Sequence, residues 1–261
     1  MAKKKTFDTK KKPVINKTGD DYLFGINPVT EAFRAKRRTI YELFVSSDKT
    51  QGKISDIINL ANRSKVPVTK LSFPELTKIA GTESHQSVVA RTSSYPFSDL
   101  TELMINKDRG LILILDGIED PQNLGAIGRT ALCAGADGII IPKDRAASPV
   151  PSASKASAGA LEHLRIAKVT NLSTAIKELK NNGFWIAGLD ADADSPLYST
   201  DLTAPLGIVI GGEDRGLRDL IKKNCDFIVS IPQKGRFNSL NASVAGAVVI
   251  YEVLRQRENI T

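Results

Sequence analysis

Beyond its first twenty residues, the chain alternates between short apolar runs typical of strands and apolar residues at helical spacing. Residues 22–93 form a first group of such segments. Its predicted strands are Tyr41–Val45, Val66–Lys70 and Ser87–Arg91, and its predicted helices are Ile54–Ala61 and Phe73–Ile79. Pro67 lies inside the second run and cannot donate a ladder hydrogen bond, which favours an edge position for that strand. The group predicts a small α/β unit, and because it offers no nucleophile–base pair, a binding unit.

A second group of strands and helices starts near residue 100. Leu111–Leu115 is continuously apolar, as expected for a parallel strand that is covered on both faces. The other predicted strands of this group are Gly138–Ile141, Leu164–Val169, Phe184–Leu189, Leu206–Ile210 and Asp226–Ile231. Helical patterns lie between them, and a long helix is predicted from about Asn241 to Arg257. The predicted fold class is therefore α/β, with a parallel sheet in the second group.

The stretch Thr92–Asp99 is rich in Ser and Pro and separates the two groups. We expect a basic tail at 1–20, a first unit at 21–93, a linker at 94–99 and a second unit at 100–261. The tail holds seven Lys and two Asp, which gives it +5 of the chain's net charge of +7. Such a run predicts a disordered, solvated tail, or an arm that adds non-specific affinity for phosphates.

Composition narrows the class of protein. A hydrophobic content of 41% and a charged content of 25% are typical of a soluble globular protein. No apolar run approaches the roughly 20 residues of a membrane helix, so no membrane partner is expected. Cys133 and Cys225 are too few and too far apart for a metal cluster or a disulfide framework. We expect buried free thiols and a cytoplasmic location, where thiols stay reduced.

The first segment with candidate chemistry is Asn123-Leu-Gly-Ala-Ile-Gly-Arg129, which follows the predicted strand at 111–115. Asn123 is a good N-cap for the helix that follows, and Gly135 is a good stop signal. At about 100° per residue, Arg129 points away from the apolar stripe of that helix. The segment is neither a P-loop nor a dinucleotide turn, which disfavours an NTPase or a nicotinamide enzyme. On its own it also fits a capped helix with a solvated Arg.

Two further strand-to-helix segments resemble the first in position. They are Gly211-Gly-Glu-Asp-Arg-Gly-Leu217 and Ile231-Pro-Gln-Lys-Gly-Arg-Phe-Asn-Ser-Leu-Asn241. Ligands of open α/β sheets bind at the carboxyl ends of the strands, so we expect the three segments to be walls of one site. Alternatively, Glu213 serves the dipole of the next helix, and Ser239 and Asn241 serve only as caps.

Together the three segments resemble the signature motifs of the SpoU (TrmH-like) branch of the SPOUT RNA methyltransferases. Those motifs are Asn and Arg six apart, Gly-x-Glu-x-x-Gly, and Ile-Pro-x-x-Gly-x-x-x-Ser-Leu-Asn-x-Ser, and all are present here. The resemblance covers about 22–257. Gly25–Ala32 and His85-Gln86 resemble the substrate-binding domain of the ribosomal-RNA members, which is similar to a small ribosomal-protein fold. Ser157–His163 resembles the subfamily that methylates a guanosine of 23S rRNA. Departures from the pattern are Gln233 for Met, Ser87 for Gly and Ala242 for Val.

The resemblance implies a fold, a cofactor and an assembly. The fold is a SPOUT domain with a carboxyl-terminal trefoil knot, preceded by the small substrate-binding domain. The cofactor is S-adenosyl-L-methionine, and the site is completed across a homodimer without a metal. The residues implied to bind the cofactor are Leu189, Gly211, Ile231 and Leu240.

The implied reaction is methyl transfer to a ribose 2′-hydroxyl, with a guanosine of 23S rRNA or of the assembling large ribosomal subunit as the expected target. Arg129 would hold a phosphate and stabilise charge on the attacking oxygen. The residues implied to position the substrate are Asn123, Glu213, Ser239 and Asn241. The alternatives are a tRNA or another rRNA site, or a non-catalytic RNA-binding protein of ribosome assembly. A base methyltransferase is disfavoured, because the motifs match the 2′-O branch.

Overall fold

The computed structural model of the chain describes residues 20–49, 51–213, 216–236 and 239–258. The basic tail predicted for 1–20 therefore lies outside the described residues except for Asp20. Two sheets are present, one of four strands and one of seven. Among the described helices, none is long and apolar enough to cross a membrane.

The first sheet is built from residues 20–93. Its strands are β1 (Asp20–Phe24), β2 (Ile40–Ser46), β3 (Val68–Leu71) and β4 (Val88–Ser93), in the spatial order β1-β4-β2-β3. Its helices are α1 (Ile26–Ala35), α2 (Lys53–Arg63) and α3 (Phe73–Ala80). The predicted strands and helices are confirmed, and β3 is an edge strand, as its proline indicated. The strand β1 and the helix α1 were not predicted from the sequence.

The second sheet contains seven strands and is parallel throughout. The strands, which stand in the order β7-β6-β5-β10-β8-β11-β9, are β5 (Leu111–Asp116), β6 (Gly138–Pro142), β7 (Ile166–Val169), β8 (Trp185–Leu189), β9 (Ser195–Pro196), β10 (Leu206–Gly211) and β11 (Phe227–Ser230). The helices are α4 (Pro121–Cys133), α5 (Pro151–Ala156), α6 (Leu172–Asn181), α7 (Asp219–Asn224) and α8 (Ala242–Glu258). The predicted parallel sheet and its closing helix are confirmed, whereas α5 and the two-residue strand β9 were not predicted.

Both faces of the second sheet are buried. Every residue of β5 is buried, and successive side chains enter opposite cores. Leu113 and Leu115 pack in the core that includes residues of α4 and α8, while Ile112 and Ile114 pack in the core that includes residues of α6 and α7. Burial on both faces explains why the β5 sequence is apolar without alternation. The carboxyl ends of the strands are not part of these two cores.

The cysteines depart from expectation. Cys133 is exposed, because it follows Arg129 by one helical turn on the outer side of α4. Cys225 is half-buried, and its burial raises the pKa of the thiol to about 12. The prediction of two buried thiols is therefore wrong for Cys133, although neither cysteine forms a disulfide.

Candidate active site

The three polar segments leave the second sheet at the carboxyl ends of β5, β10 and β11, which stand within four consecutive strands of the order β5-β10-β8-β11. Gly211 at the end of β10 pairs with Asp116 at the end of β5. On the other side, Ile210 pairs with Leu189 at the end of β8, which in turn pairs with Val229 of β11. Because all these strands run in the same direction, the segments that follow β5, β10 and β11 emerge side by side. The structure thus brings the three segments together, as the strand-end rule predicted.

A polar cluster joins one residue from each segment. The Oε1 atom of Glu213 accepts hydrogen bonds from Asn123 Nδ2 (3.0 Å), from the backbone amide of Ala242 (3.4 Å) and from Asn241 Nδ2. Asn241 Nδ2 also donates to Asn123 Oδ1 at 3.1 Å. The three side chains lie 90 and 28 residues apart in sequence, so only the fold brings them together.

The predicted capping role of Asn123 is wrong. Helix α4 begins at Pro121, and Asp120 is its N-cap, with a side-chain oxygen that accepts from the amide of Gln122 at 2.8 Å. Proline suits the first helical position because that position needs no N–H donor. Asn123 is consequently within the first turn, only 7% exposed, and its amide reaches Glu213. Gly135 does follow the helix end with a positive φ of 74°, as expected of a stop signal.

Asn241 both caps a helix and joins the cluster. Its Oδ1 accepts from the backbone amides of Ser243 (2.9 Å) and Val244 (3.3 Å), the pattern of an N-cap residue for α8. That bond fixes the amide orientation and leaves Nδ2 to donate to Glu213 and Asn123. Ser239 precedes the helix, is exposed, and makes no hydrogen bond within the described part of the chain.

A cleft of about 320 Å³ opens beside the polar cluster. It is lined by all four residues that the resemblance assigned to a cofactor, namely Leu189, Gly211, Ile231 and Leu240, and also by Glu213 and Ser239. Ligand pockets for small molecules and cofactors have volumes from about 300 Å³ upward. The side chains of Leu189, Ile231 and Leu240 suit contact with a ring or an aliphatic chain, and the carboxylate of Glu213 suits a cationic group. The residues present therefore fit S-adenosylmethionine.

The paired glycines at the end of β10 serve the turn itself. A Cβ atom on Gly211 would lie 2.3 Å from the carbonyl carbon of Gly216, and one on Gly212 would lie 2.3 Å from the carbonyl oxygen of Gly117. Gly212 donates to the Asp116 carbonyl at 2.9 Å and accepts from the Gly216 amide at 2.9 Å. Backbone packing against backbone therefore requires both glycines, independently of any ligand.

Two ion pairs near the strand ends were not predicted. Asp116 is buried, and its carboxylate accepts from the Arg218 amide (3.0 Å) and guanidinium (2.6 Å). Asp190 lines the cleft and pairs with Lys222 at 2.9 Å. Burial opposes ionisation of Asp190, but hydrogen bonds from Lys222 and the Asp192 amide outweigh it and lower its pKa. An acidic residue directly after each of two apolar strands was the signal that could have indicated them.

Arg129 does not join the polar cluster. Six residues separate it from Asn123, which places it about 9 Å along α4 and about 120° around the helix. Its side chain is exposed and makes no hydrogen bond or ion pair within the described ranges. Arg129 is thus directed outward, as its position opposite the apolar stripe predicted.

The two motifs of the first unit also meet. Gln86 Oε1 accepts from the amide of Ile26 at 3.2 Å and lies against Gly25, whose φ is 99°. His85 is buried, and its Nδ1 accepts from the Ser87 amide at 3.1 Å, so Nε2 carries the proton and faces Thr77 Oγ1. Burial lowers the pKa of His85, which favours the neutral ring. Gln86 therefore holds the loop that starts α1, and His85 links the start of β4 to α3.

The model of the SpoU rRNA Methylase family matches residues 110–251, and the model described as RNA 2′-O ribose methyltransferase substrate binding matches residues 22–98. The chain is 38% identical over 244 residues to YacO of Bacillus subtilis, which is named as a TrmH family tRNA/rRNA methyltransferase, and the match covers 92% of this chain and 97% of YacO. A Staphylococcus saprophyticus protein of the same family name is 39% identical over 91% of this chain and 96% of its own length.

Among solved structures, the chain is similar to the SpoU methyltransferase AviRb from Streptomyces viridochromogenes in complex with AdoMet. The TM-score is 0.80 with 25% sequence identity, and the match covers 92% of each chain. The matched length includes both sheets. The similarity thus extends to the arrangement of the whole chain.

Proposed function

The chain belongs to the SpoU rRNA methylase family, and on that premise we propose that it methylates the ribose 2′-hydroxyl of a guanosine in 23S rRNA. As a member of this family it is an RNA methyltransferase that uses S-adenosylmethionine. The observation that carries the proposal is the cluster of Asn123, Glu213 and Asn241 beside a cleft of cofactor size. That the first unit matches a substrate-binding model for 2′-O ribose methyltransferases supports the ribose as acceptor.

When bound, S-adenosylmethionine supplies a methyl group on a positively charged sulfur. Leu189, Ile231 and Leu240 would surround its apolar parts, and Gly211 would offer backbone groups. Asp190 and Glu213 place carboxylates at the same cleft, which favours a cationic ligand by charge.

The protein's residues would prepare the acceptor hydroxyl. A ribose 2′-hydroxyl is a poor nucleophile until its proton is withdrawn. We assign Arg129 to the neighbouring phosphate and to the developing charge on oxygen, because a guanidinium keeps its proton and is unsuited to act as a base. Asn123, Glu213, Ser239 and Asn241 would hold the ribose and the loop around it. Asn241 is well suited to positioning, since capping of α8 already fixes its amide.

We further propose that the site is completed in a homodimer. Arg129 points away from the cluster of its own chain, so a second chain would have to receive it. The outer face of α8 exposes Val244 (48%) and Tyr251 (50%), two apolar residues seven apart on one helical face. Such a face is suited to an apolar contact with a second copy.

A trefoil knot at the carboxyl end is also part of the proposal. It rests on membership of the family; in this chain α8 packs closely on the sheet, where a Cβ on Gly246 would lie 2.9 Å from Ile210 of β10 and 3.7 Å from Ile127 of α4. Gly246 thus allows one face of α8 to pack closely on the sheet. The opposite face, with Val244 and Tyr251, stays exposed and would contact the partner.

The choice of 23S rRNA rests on the first unit and on the segment Ser157–His163. The nearest competing targets are a tRNA or another rRNA site, since relatives are named as tRNA/rRNA methyltransferases. A non-catalytic role in ribosome assembly would leave the cleft and the polar cluster without a use.

The test is methyl transfer from tritiated S-adenosylmethionine to 23S rRNA of cells that lack this protein, followed by nucleoside analysis. We expect 2′-O-methylguanosine at a single position, and little label in tRNA. An Asn241→Ala variant is the control for contaminating activity. Label in a base, or label only in tRNA, would overturn the proposed acceptor; no label at all would favour the non-catalytic role.

A further inference from the structure

Residues 149–164 of the second unit, here called the docking segment, lie against the first unit. The docking segment contains α5 and a short 3-10 helix at Ala160–Glu162, and it contacts α1 and β1. It includes Ser157–His163, the stretch that resembles the guanosine-methylating subfamily and that does not line the cleft. The structure therefore gives this stretch a place at the boundary between the two units.

A buried ion pair crosses that boundary. The side chains of Arg38 and Glu162 are 0% and 1% exposed, and Arg38 Nε lies 2.8 Å from Glu162 Oε2. The Nε–H makes no hydrogen bond, but Arg38 Nη2 donates to Glu162 Oε1 at 3.4 Å, so the ion pair is also hydrogen-bonded. Glu162 also accepts from Ser154 Oγ in its own unit, and Arg38 pairs with Asp21 in its own unit at 2.8 Å. Arg38 also donates to the carbonyls of Ser93 in its own unit (3.3 Å) and of Pro149 in the docking segment (3.4 Å), so both side chains have polar partners on both sides of the boundary.

Further contacts surround this pair. Tyr95, in the segment that joins the units, is buried, and its hydroxyl lies 3.0 Å from the Leu161 carbonyl and 2.5 Å from the Leu164 carbonyl. Arg37 donates to the Leu164 carbonyl and also to the carbonyl of Pro96 at 3.1 Å. The connecting segment is therefore packed between the two units.

The rim of the boundary is closely packed, with the docking segment in contact with α1. Gly159 has a φ of 88°, and a Cβ there would lie 2.8 Å from Glu31 Cβ and 3.0 Å from the Asn27 carbonyl. His163 Nε2 lies 2.8 Å from Glu31, and Lys155 donates to the Ser84 carbonyl. A glycine is required here so that the docking segment can approach α1.

We propose that the docking segment locks the two units in one orientation. Glu162 is then a positioning residue, because it fixes the distance between RNA bound to the first unit and the methyl-transfer cleft. The second half of this inference rests on the proposed function. Loss of Glu162 leaves the buried Arg38 with Asp21 of its own unit as its carboxylate partner and removes the charge attraction that crosses the boundary. An RNA held by a fixed first unit is presented to the cleft without a further search, which is how positioning raises a rate.

Orientation is tested by energy transfer between dyes on Lys78→Cys and Lys177→Cys, two exposed positions in different units, in a Cys133→Ser/Cys225→Ala background. We expect one narrow distance distribution in the full chain and a broadened one with Glu162→Ala. Arg38→Met/Glu162→Leu, which replaces the pair by apolar side chains of similar volume, should restore the narrow distribution. Glu31→Ala, at the half-exposed rim, is the matched control and should leave it narrow. An unchanged distribution in Glu162→Ala overturns the lock.

Positioning is tested by kinetics on 23S rRNA with the same variants. Glu162→Ala should keep the Kd for S-adenosylmethionine, lower kcat/KM for rRNA by about 10²-fold, and add label at neighbouring nucleotides; the double variant should restore both. Unchanged rate and position despite a broadened distribution overturn the positioning role. If Glu162→Ala does not fold, Glu162→Gln replaces it. A wild-type chain that transfers no methyl group overturns the proposed function, while the dye experiment still decides the lock.

Discussion

Asn123 and Arg129 belong to one helix but have different surroundings. Asn123 is buried and bonded to Glu213 and Asn241, whereas Arg129 is exposed and without a partner among the described residues. Their six-residue spacing accounts for this, because it rotates one side chain about 120° from the other. The first motif therefore has a buried side chain, Asn123, which joins the polar cluster, and an exposed side chain, Arg129, on the outer side of α4.

Arg129→Ala should lower methyl transfer by about 10²-fold or more, the scale of losing an electrostatic stabiliser. The unfolding temperature should stay near that of wild type, since Arg129 is exposed and makes no hydrogen bond or ion pair among the described residues. Arg129→Lys should recover little activity, because the planar fork is lost. Lys177→Ala, another exposed cation on a helix, is the control. Single-turnover methyl transfer and thermal unfolding measure both effects, and near-wild-type activity in Arg129→Ala would remove this residue from the mechanism.

Ser87 has a backbone conformation suited to glycine. Its φ is 66°, and the preceding Gln86 has a φ of 54°. A left-handed conformation costs a residue with a Cβ about 1–2 kcal/mol, which the greater freedom of unfolded glycine partly offsets. Ser87→Gly should therefore stabilise the chain by about 0.5–1 kcal/mol in urea unfolding. Ser47→Gly, in a turn without positive φ, should not stabilise it; equal effects of the two changes would contradict the strain.

Helix α4 is built to lie close to the docking segment. A Cβ on Gly125 would lie 2.6 Å from the Ala153 carbonyl oxygen, which is backbone. A Cβ on Gly128 would lie 2.4 Å from Leu161 Cδ2, the end of a flexible side chain. The two glycines of the first motif thus allow α4 to pack closely against the docking segment.

This difference gives a matched pair of variants. Gly125→Ala should destabilise the chain by about 1–3 kcal/mol, because overpacking against backbone outweighs the better helix propensity of alanine. Gly128→Ala should cost less than about 1 kcal/mol, because Leu161 can change rotamer. Urea unfolding monitored by circular dichroism compares them, and a Gly125→Ala variant as stable as Gly128→Ala would show that the segment yields.

Elements that are buried on both faces were predictable from the sequence. Element boundaries at which two nearby residues are both suitable caps were not. The apolar run of β5 could form little else than a buried strand. The start of α4 was missed because Asp120 and Asn123 are both good caps, and Pro121 decides between them. The meeting of three segments followed from strand direction. The pairing of Arg38 with Glu162, 124 residues apart, follows from tertiary packing, which no local pattern encodes.

At the scale of the whole molecule, Tyr95 couples the packing of the two units to pH. Burial raises the pKa of Tyr95 from 10.0 to about 12, against the opposing charge of Arg37. Above pH 10 the unfolded chain releases this proton and the folded chain keeps it, so folding loses stability between about pH 10 and 12. Two pKa units correspond to about 3 kcal/mol at most.

Tyr95→Phe should remove that loss, although it also removes a hydrogen bond at all pH values. Urea unfolding at about pH 8, 9.5 and 11 measures it, in a Cys225→Ala background because the Cys225 thiol has a raised pKa as well. We expect the stability of the chain with Tyr95 to fall more steeply between the two higher pH values. Parallel curves for the two chains would show that Tyr95 does not titrate in this range.

The bond between Asn123 and Asn241 has a consequence for biosynthesis. The first sheet is complete by residue 93, whereas the polar cluster needs Asn241, 118 residues beyond Asn123, and a helix that Arg257 anchors to the carbonyls of Gly110 and Ala204. A ribosome that stops before Asn241 therefore releases a chain with its first unit but without the complete polar cluster and without α8. On the proposed function, such a product would compete for RNA that it cannot modify, so late truncations should be dominant over the intact gene.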